Sequence, residues 1–264
     1  GFSIGILIFG ITELTGATGY INSIPTLSKY QFLNIPSLFI VLGGVLNAAF
    51  ITYQPKYVGQ ALGSVLYLFN QSKISHKKLS EDLKNILEWS DQVKANRIKA
   101  MSSLEKENED EVTGYFFSLI NTNYTNDEIK EFAGVSIEEH YYRKMIVVDV
   151  LRAMGGAAPS FGMFGTLFGL VVMLGQLENP SGMGPGLAAA LITTLYGISL
   201  ARFIFYPMAE KLKNIAQQNR YREYFMLEGV LLINSKKSSF YIQDKLKTYL
   251  RRDLKAQQKS FFFF

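Results

Sequence analysis

The stretch "SFGMFGTLFGL" (160–170) is apolar enough to lie in a membrane, yet it carries Gly162, Gly165, Thr166 and Gly169. In a soluble helix each glycine costs about 1 kcal/mol relative to alanine. Lipid gives helices no hydrophobic drive to associate, and there small residues let two helices approach closely. Gly162, Gly165, Thr166, Gly169 and Met173 fall on one helical stripe. The segment 185–207 repeats the arrangement with Gly186, Ala190, Thr193 or Thr194, Gly197 and Ala201. Two apolar segments with small, slightly polar faces predict a packed pair of transmembrane helices.

Working outward, the chain of 264 residues has four apolar stretches, 2–19, 33–53, 159–177 and 185–207. Each approaches the ~17–25 residues that a bilayer-spanning helix needs. Glu13 interrupts the first, and Arg202 is the only charge in the other three. Of 27 Lys and Arg, only Lys29 lies between the first two stretches, while 25 fall in 54–158 or after 207. Positive residues stay on the cytoplasmic side. The sequence therefore predicts an all-α membrane protein with four transmembrane helices. A cytoplasmic helical domain lies between spans two and three, and a helical cytoplasmic tail follows span four. The expected division is 1–54 (spans one and two), 55–156 (cytoplasmic), 157–207 (spans three and four) and 208–264 (tail). The net charge of +5 reflects this topology, and no aromatic-interleaved basic patch points to nucleic acid. Without cysteine, structural disulfides and thiolate metal sites are excluded. No cleaved signal-peptide pattern opens the sequence, and the closing "FFFF" carries no functional weight.

Between and after the spans, apolar residues recur at helical spacing, as in Leu79, Leu83, Ile86 and Leu87. Ser80, followed by Glu81 and Asp82, reads as a helix start. Asn126 or Asp127 reads as an N-cap. Gly155, Gly156 and Pro159 predict a bend or a helix restart near the membrane surface. Amphipathic helices are expected over 209–234 and 241–254. Asn34, Pro36, Pro159, Pro185 and Pro207 all sit at or near span ends, where a missing helix hydrogen bond is tolerated. There is no β pattern and no internal repeat.

Thr166, Thr193 and Thr194 place three hydroxyls at similar depth. One threonine can satisfy itself on the carbonyl four residues back, but three beside glycines can line a polar path. No carboxylate accompanies them in spans three and four, although an H⁺ or Na⁺ pathway normally needs an ionisable group or several oxygen ligands. The chain reads as half of a channel, with the acid on a partner.

The run A-P-x-x-G-x-x-G-T-x-x-G-L (158–170), followed by L-x-T-T-L-Y-G (191–197), resembles the MotA/PomA A-subunit of the flagellar stator. That family is related to the TolQ/ExbB energisers. "IPSLFIVLGGVLNAAF" (35–50) and "EGVLLIN" (228–234) also match. The resemblance implies a ring of five such chains around two B-subunits in the bacterial inner membrane. Each B-subunit has one transmembrane helix with an essential Asp and a periplasmic peptidoglycan-binding domain. Ion flow turns the ring, whose cytoplasmic lobes push the rotor switch protein. Thr166 and Thr194 fall at the ion-path threonines, with Thr193 beside them, and Pro159 and Pro207 at the two prolines near the cytoplasmic span ends. Threonine at 166 resembles the sodium-type stators, where many proton-type ones have alanine. The transported ion is thus expected to be Na⁺, with H⁺ as the alternative, and no other cofactor is implied.

Two features depart from the family pattern. An acid often precedes the proline motif, and here the position is Gly156. The cytoplasmic rotor-contact region corresponds to 96–107; Lys94 just before it and Arg97, Lys99, Glu105 and Glu107 within it are candidate contacts, and a solvated helix face explains the same charges. Arg202 reaches the cytoplasmic interface by snorkelling. A related energiser, driving outer-membrane transport, gliding or phage defence, is the second reading; four spans favour the stator. A membrane enzyme has little support. His76 and His140 are the only histidines, and neither belongs to a nucleophile or metal pattern.

Overall fold

A computed structural model describes residues 35–68, 76–96, 103–104, 111–122, 124–175, 177 and 180–249. The described chain is helical, in the order α1 (Ile35–Thr52), α2 (Pro55–Leu68), α3 (His76–Ala95), α4 (Glu111–Asn121), α5 (Asn126–Leu174) and α6 (Pro180–Ser199). A π-helical turn (Leu200–Phe205) then leads into α7 (Tyr206–Asn234), and α8 covers 239–249. The chain forms two compact units, Gly1–Gln54 with Arg152–Tyr206, and Pro55–Leu151 with Pro207–Phe264.

The first unit has its large apolar side chains outside. Phe39, Leu167, Val171, Leu191 and Phe203 are each more than 60% exposed, whereas Ala158, Ala190, Thr193 and Ala201 are buried. Water would force the opposite arrangement, so this surface is built for lipid or for other apolar helices. In α1, Ser37, Val41, Val45 and Ala49 are buried at successive four-residue steps, the spacing that puts them on one face. Two helical runs are long and apolar enough to cross a membrane, Asn126–Val171 and Gly186–Asn234, and α1 is apolar but shorter. The expected span at 2–19, with Glu13, lies outside the described residues, as do Asn34, Arg97, Lys99, Glu105 and Glu107.

The second unit has an ordinary apolar core. Leu79, Leu83 and Ile86 of α3 meet Phe116 and Phe117 of α4, and Phe225, Val230 and Ile233 of α7. Trp89 packs edge-on against Phe117, 5.3 Å between ring centres. Gly229 leaves room for Ile86; a Cβ there would lie 2.6 Å from its Cδ1. The nearly buried Asp82 accepts two hydrogen bonds from the Arg222 guanidinium, at 2.6 and 2.9 Å. Glu138 of α5 accepts from Arg220 at 2.6 Å and from the Tyr224 hydroxyl at 2.7 Å.

Several helix ends differ from the sequence expectation. Helix α5 runs without interruption through Gly155, Gly156 and Pro159, where a bend or restart was expected. Apolar surroundings make the helix the only economical way to satisfy backbone groups, so residues that break helices in water are tolerated. The N-cap of α5 is Thr125, one residue before the expected Asn126. Its N–H donates to Glu128 Oε2 (2.8 Å) while the Glu128 N–H donates to Thr125 Oγ1 (3.3 Å), a reciprocal capping box. Helix α3 begins at His76 rather than Ser80.

Candidate functional site

The small-residue stripes of α5 and α6 face each other in antiparallel order. A Cβ added at Gly162 would come within 3.2 Å of the Thr193 carbonyl oxygen and the Thr194 Cα. One at Gly169 would lie 2.8 Å from Ala190 Cβ, and one at Gly197 would lie 2.5 Å from the Ala158 carbonyl oxygen. At Gly165 the space is filled by the Thr193 side chain. These glycines therefore set the helix separation: each is where the opposite backbone or a branched side chain comes closest. Gly186 does the same against the Gly169 carbonyl oxygen at 3.2 Å. Ala158, opposite Gly197, belongs to the same ladder, although the sequence reading placed it only in the motif and not on the stripe.

The three threonines divide into two roles. Thr193 is buried, and its methyl group fills the hollow over Gly165. Thr166 and Thr194, both half-buried, bring their hydroxyls together across the helix pair. Around them lie two helix carbonyls. The Thr166 hydroxyl is 3.1 Å from the Gly162 carbonyl oxygen and 3.4 Å from that of Ala190, and the Thr194 hydroxyl is 3.3 Å from that of Gly162. The result is a cluster of four neutral oxygens inside an apolar unit. No Asp or Glu occurs in 35–54 or 152–177, and no cluster of metal-ligating side chains occurs among the described residues. The cluster can pass hydrogen bonds or solvate a small cation in part, but it holds no charge of its own to bind or release a proton.

Below the cluster, α6 loses its α geometry. Over Leu200–Phe205 the hydrogen bonds widen, and the Tyr206 N–H donates to the Ala201 carbonyl, five residues back. Such a turn absorbs one extra residue and is frequent at functional sites. Pro207, which has no N–H to give, follows directly. Arg202 is exposed on this turn, its guanidinium 5.7 Å from the centre of the Tyr206 ring. The same ring covers Gly155, where an added Cβ would lie 3.1 Å from it. The sequence carries no signature for this turn. Of the candidate rotor contacts, only Lys94 is described. It is exposed, 3.5 Å from Asp91, and bonded to the Ser239 hydroxyl.

A family model for the MotA/TolQ/ExbB proton channel family matches residues 70–224. The Vibrio alginolyticus chemotaxis protein PomA is 29% identical over 226 residues, covering 86% of this chain and 87% of that protein. Motility protein A of Aquifex aeolicus is 33% identical over 184 residues, covering 69% of this chain and 71% of that protein. A solved structure of C. jejuni MotAB contains a chain of similar fold, with a TM-score of 0.74 at 21% identity, covering 90% of this chain and 94% of the other.

Proposed function

The chain belongs to the MotA/TolQ/ExbB proton channel family, and from that premise we propose that it is the A-subunit of an ion-driven flagellar stator. The observation that carries the reading is the Thr166–Thr194 hydroxyl pair, held in an apolar helix interface that contains no acid. A neutral, hydroxyl-bearing face can slide past a carboxylate that alternates between charged and neutralised, whereas a fixed charge on that face would pin it. The complementary acid is then an Asp on the single transmembrane helix of a B-subunit, which anchors to peptidoglycan. Ion flow turns a ring of five chains around two B-subunits, and the cytoplasmic unit transmits torque to the rotor switch protein. All four spans, the inner-membrane location and the cytoplasmic side of the second unit belong to this proposal. Na⁺ is the proposed ion, since Thr166 supplies an oxygen ligand where many proton-type stators have alanine. The motility proteins among its relatives favour the stator over another envelope energiser.

The experiment uses the complex with its B-subunit. Thr194→Val is expected to abolish motility while the complex still assembles. Unimpaired swimming in that variant would overturn the ion-path assignment. Swimming speed followed against external Na⁺ at fixed pH tests the ion, and a speed indifferent to Na⁺ would select H⁺.

A further inference from the structure

The second unit contains a cleft of about 460 Å³. Four basic side chains line it, Lys56 from α2 and His140, Arg143 and Lys144 from α5. No carboxylate shares the lining; Gln60, Tyr57 and Ser136 add neutral hydrogen-bond donors. His140 is held by Glu223 at 3.1 Å and Arg143 by Glu139 at 2.8 Å. Among the described residues, Lys56 and Lys144 have no ion-pair partner. Surface charges are usually interspersed in sign, so a concave site that gathers cations from two helices is shaped for an anion. We propose that this cleft binds a phosphate-bearing anion, either the headgroup of an anionic phospholipid or a free soluble phosphate.

Three points support phosphate. The volume lies in the range of small-ligand sites, roughly 300–1,000 Å³. The donor set combines a planar guanidinium with mobile ammonium groups and hydroxyls, which suits several oxygens on one centre. Lys56 also stands three residues beyond the end of the predicted span 33–53, where basic groups meet the headgroups of the cytoplasmic leaflet. The proposal does not depend on what the complex drives.

The test uses the purified complex with its B-subunit. One arm measures retention of phosphatidylglycerol in phosphatidylcholine nanodiscs, and the other measures binding of inorganic pyrophosphate by calorimetry. Replacing both free lysines, Lys56→Gln with Lys144→Gln, is expected to weaken binding by about thirtyfold in whichever arm is the true source. The pair Lys56→Arg with Lys144→Arg is expected to restore it, which separates lost charge from lost folding. Binding in the lipid arm alone identifies a headgroup site, and binding in the pyrophosphate arm alone a soluble ligand. If neither probe distinguishes wild type from the Gln pair, the proposal is wrong; a cleft already covered by a neighbouring copy would give that result.

Discussion

Thr193 and Thr194 are neighbours in the chain but present different atoms to α5. Thr193 packs by its methyl group against Gly165, while Thr194 meets Thr166 by its hydroxyl. Thr193→Val, which keeps the methyl over Gly165, is therefore expected to impair motility less than Thr194→Val; equal loss in both would contradict the division. The glycines make a parallel case. Gly197→Ala forces a Cβ to 2.5 Å from the Ala158 carbonyl oxygen, whereas Gly43→Ala meets nothing within 4 Å. Overpacking costs about 1–3 kcal/mol. Gly197→Ala should lower the thermal midpoint of the detergent-solubilised complex, with Gly43→Ala as the unaffected control. The small-residue stripe was legible in the sequence because its spacing is a property of the helix alone. The separation of Thr193 from Thr194 was not, since which atom of a threonine faces the partner depends on where the other helix sits.

At the level of elements, the sequence marked a bend or a restart within α5 because Gly155, Gly156 and Pro159 are breakers in water, and the continuous helix follows from the surroundings those residues occupy. The π turn at Leu200–Phe205 was invisible for a different reason: no residue type demands it, and it shows only in which carbonyl Tyr206 chooses. The capping box at Thr125 was one residue from the expected cap, and Thr125→Ala should cost about 1 kcal/mol. The α5–α7 contact predicts a pH dependence. The Tyr224 hydroxyl, with the Arg220 guanidinium, holds the Glu138 carboxyl below its ordinary range, while burial opposes them. A depressed folded-state pKa adds stability above the unfolded value, and this is lost as pH falls through the folded one. Tyr224→Phe should therefore narrow the stability difference between neutral and acidic pH, measured by thermal denaturation. An unchanged pH profile would remove Glu138 from the account.

For the whole molecule, the second unit depends on one nearly buried ion pair. Asp82→Ala removes the carboxylate that accepts both hydrogen bonds from the partly shielded Arg222 guanidinium, at a cost of about 1–3 kcal/mol. Loss of folded complex on expression is the expected outcome. Native mass measurement should give five copies of this chain to two B-subunits, and another ratio would contradict the proposed ring. The basic cleft lay beyond the sequence reading because Lys56 and Lys144 are brought together only by the fold. The threonine pair carries a last consequence. Two complete hydrogen-bond orders fit the same atoms. In one, Thr194 donates to Thr166 and Thr166 to a carbonyl; in the other, Thr166 donates to Thr194 and Thr194 to the Gly162 carbonyl. Reversing the order moves hydrogens and leaves every heavy atom in place. Such a relay has no forward and no backward, so any sense of direction in the machine must be imposed by a group outside this helix pair.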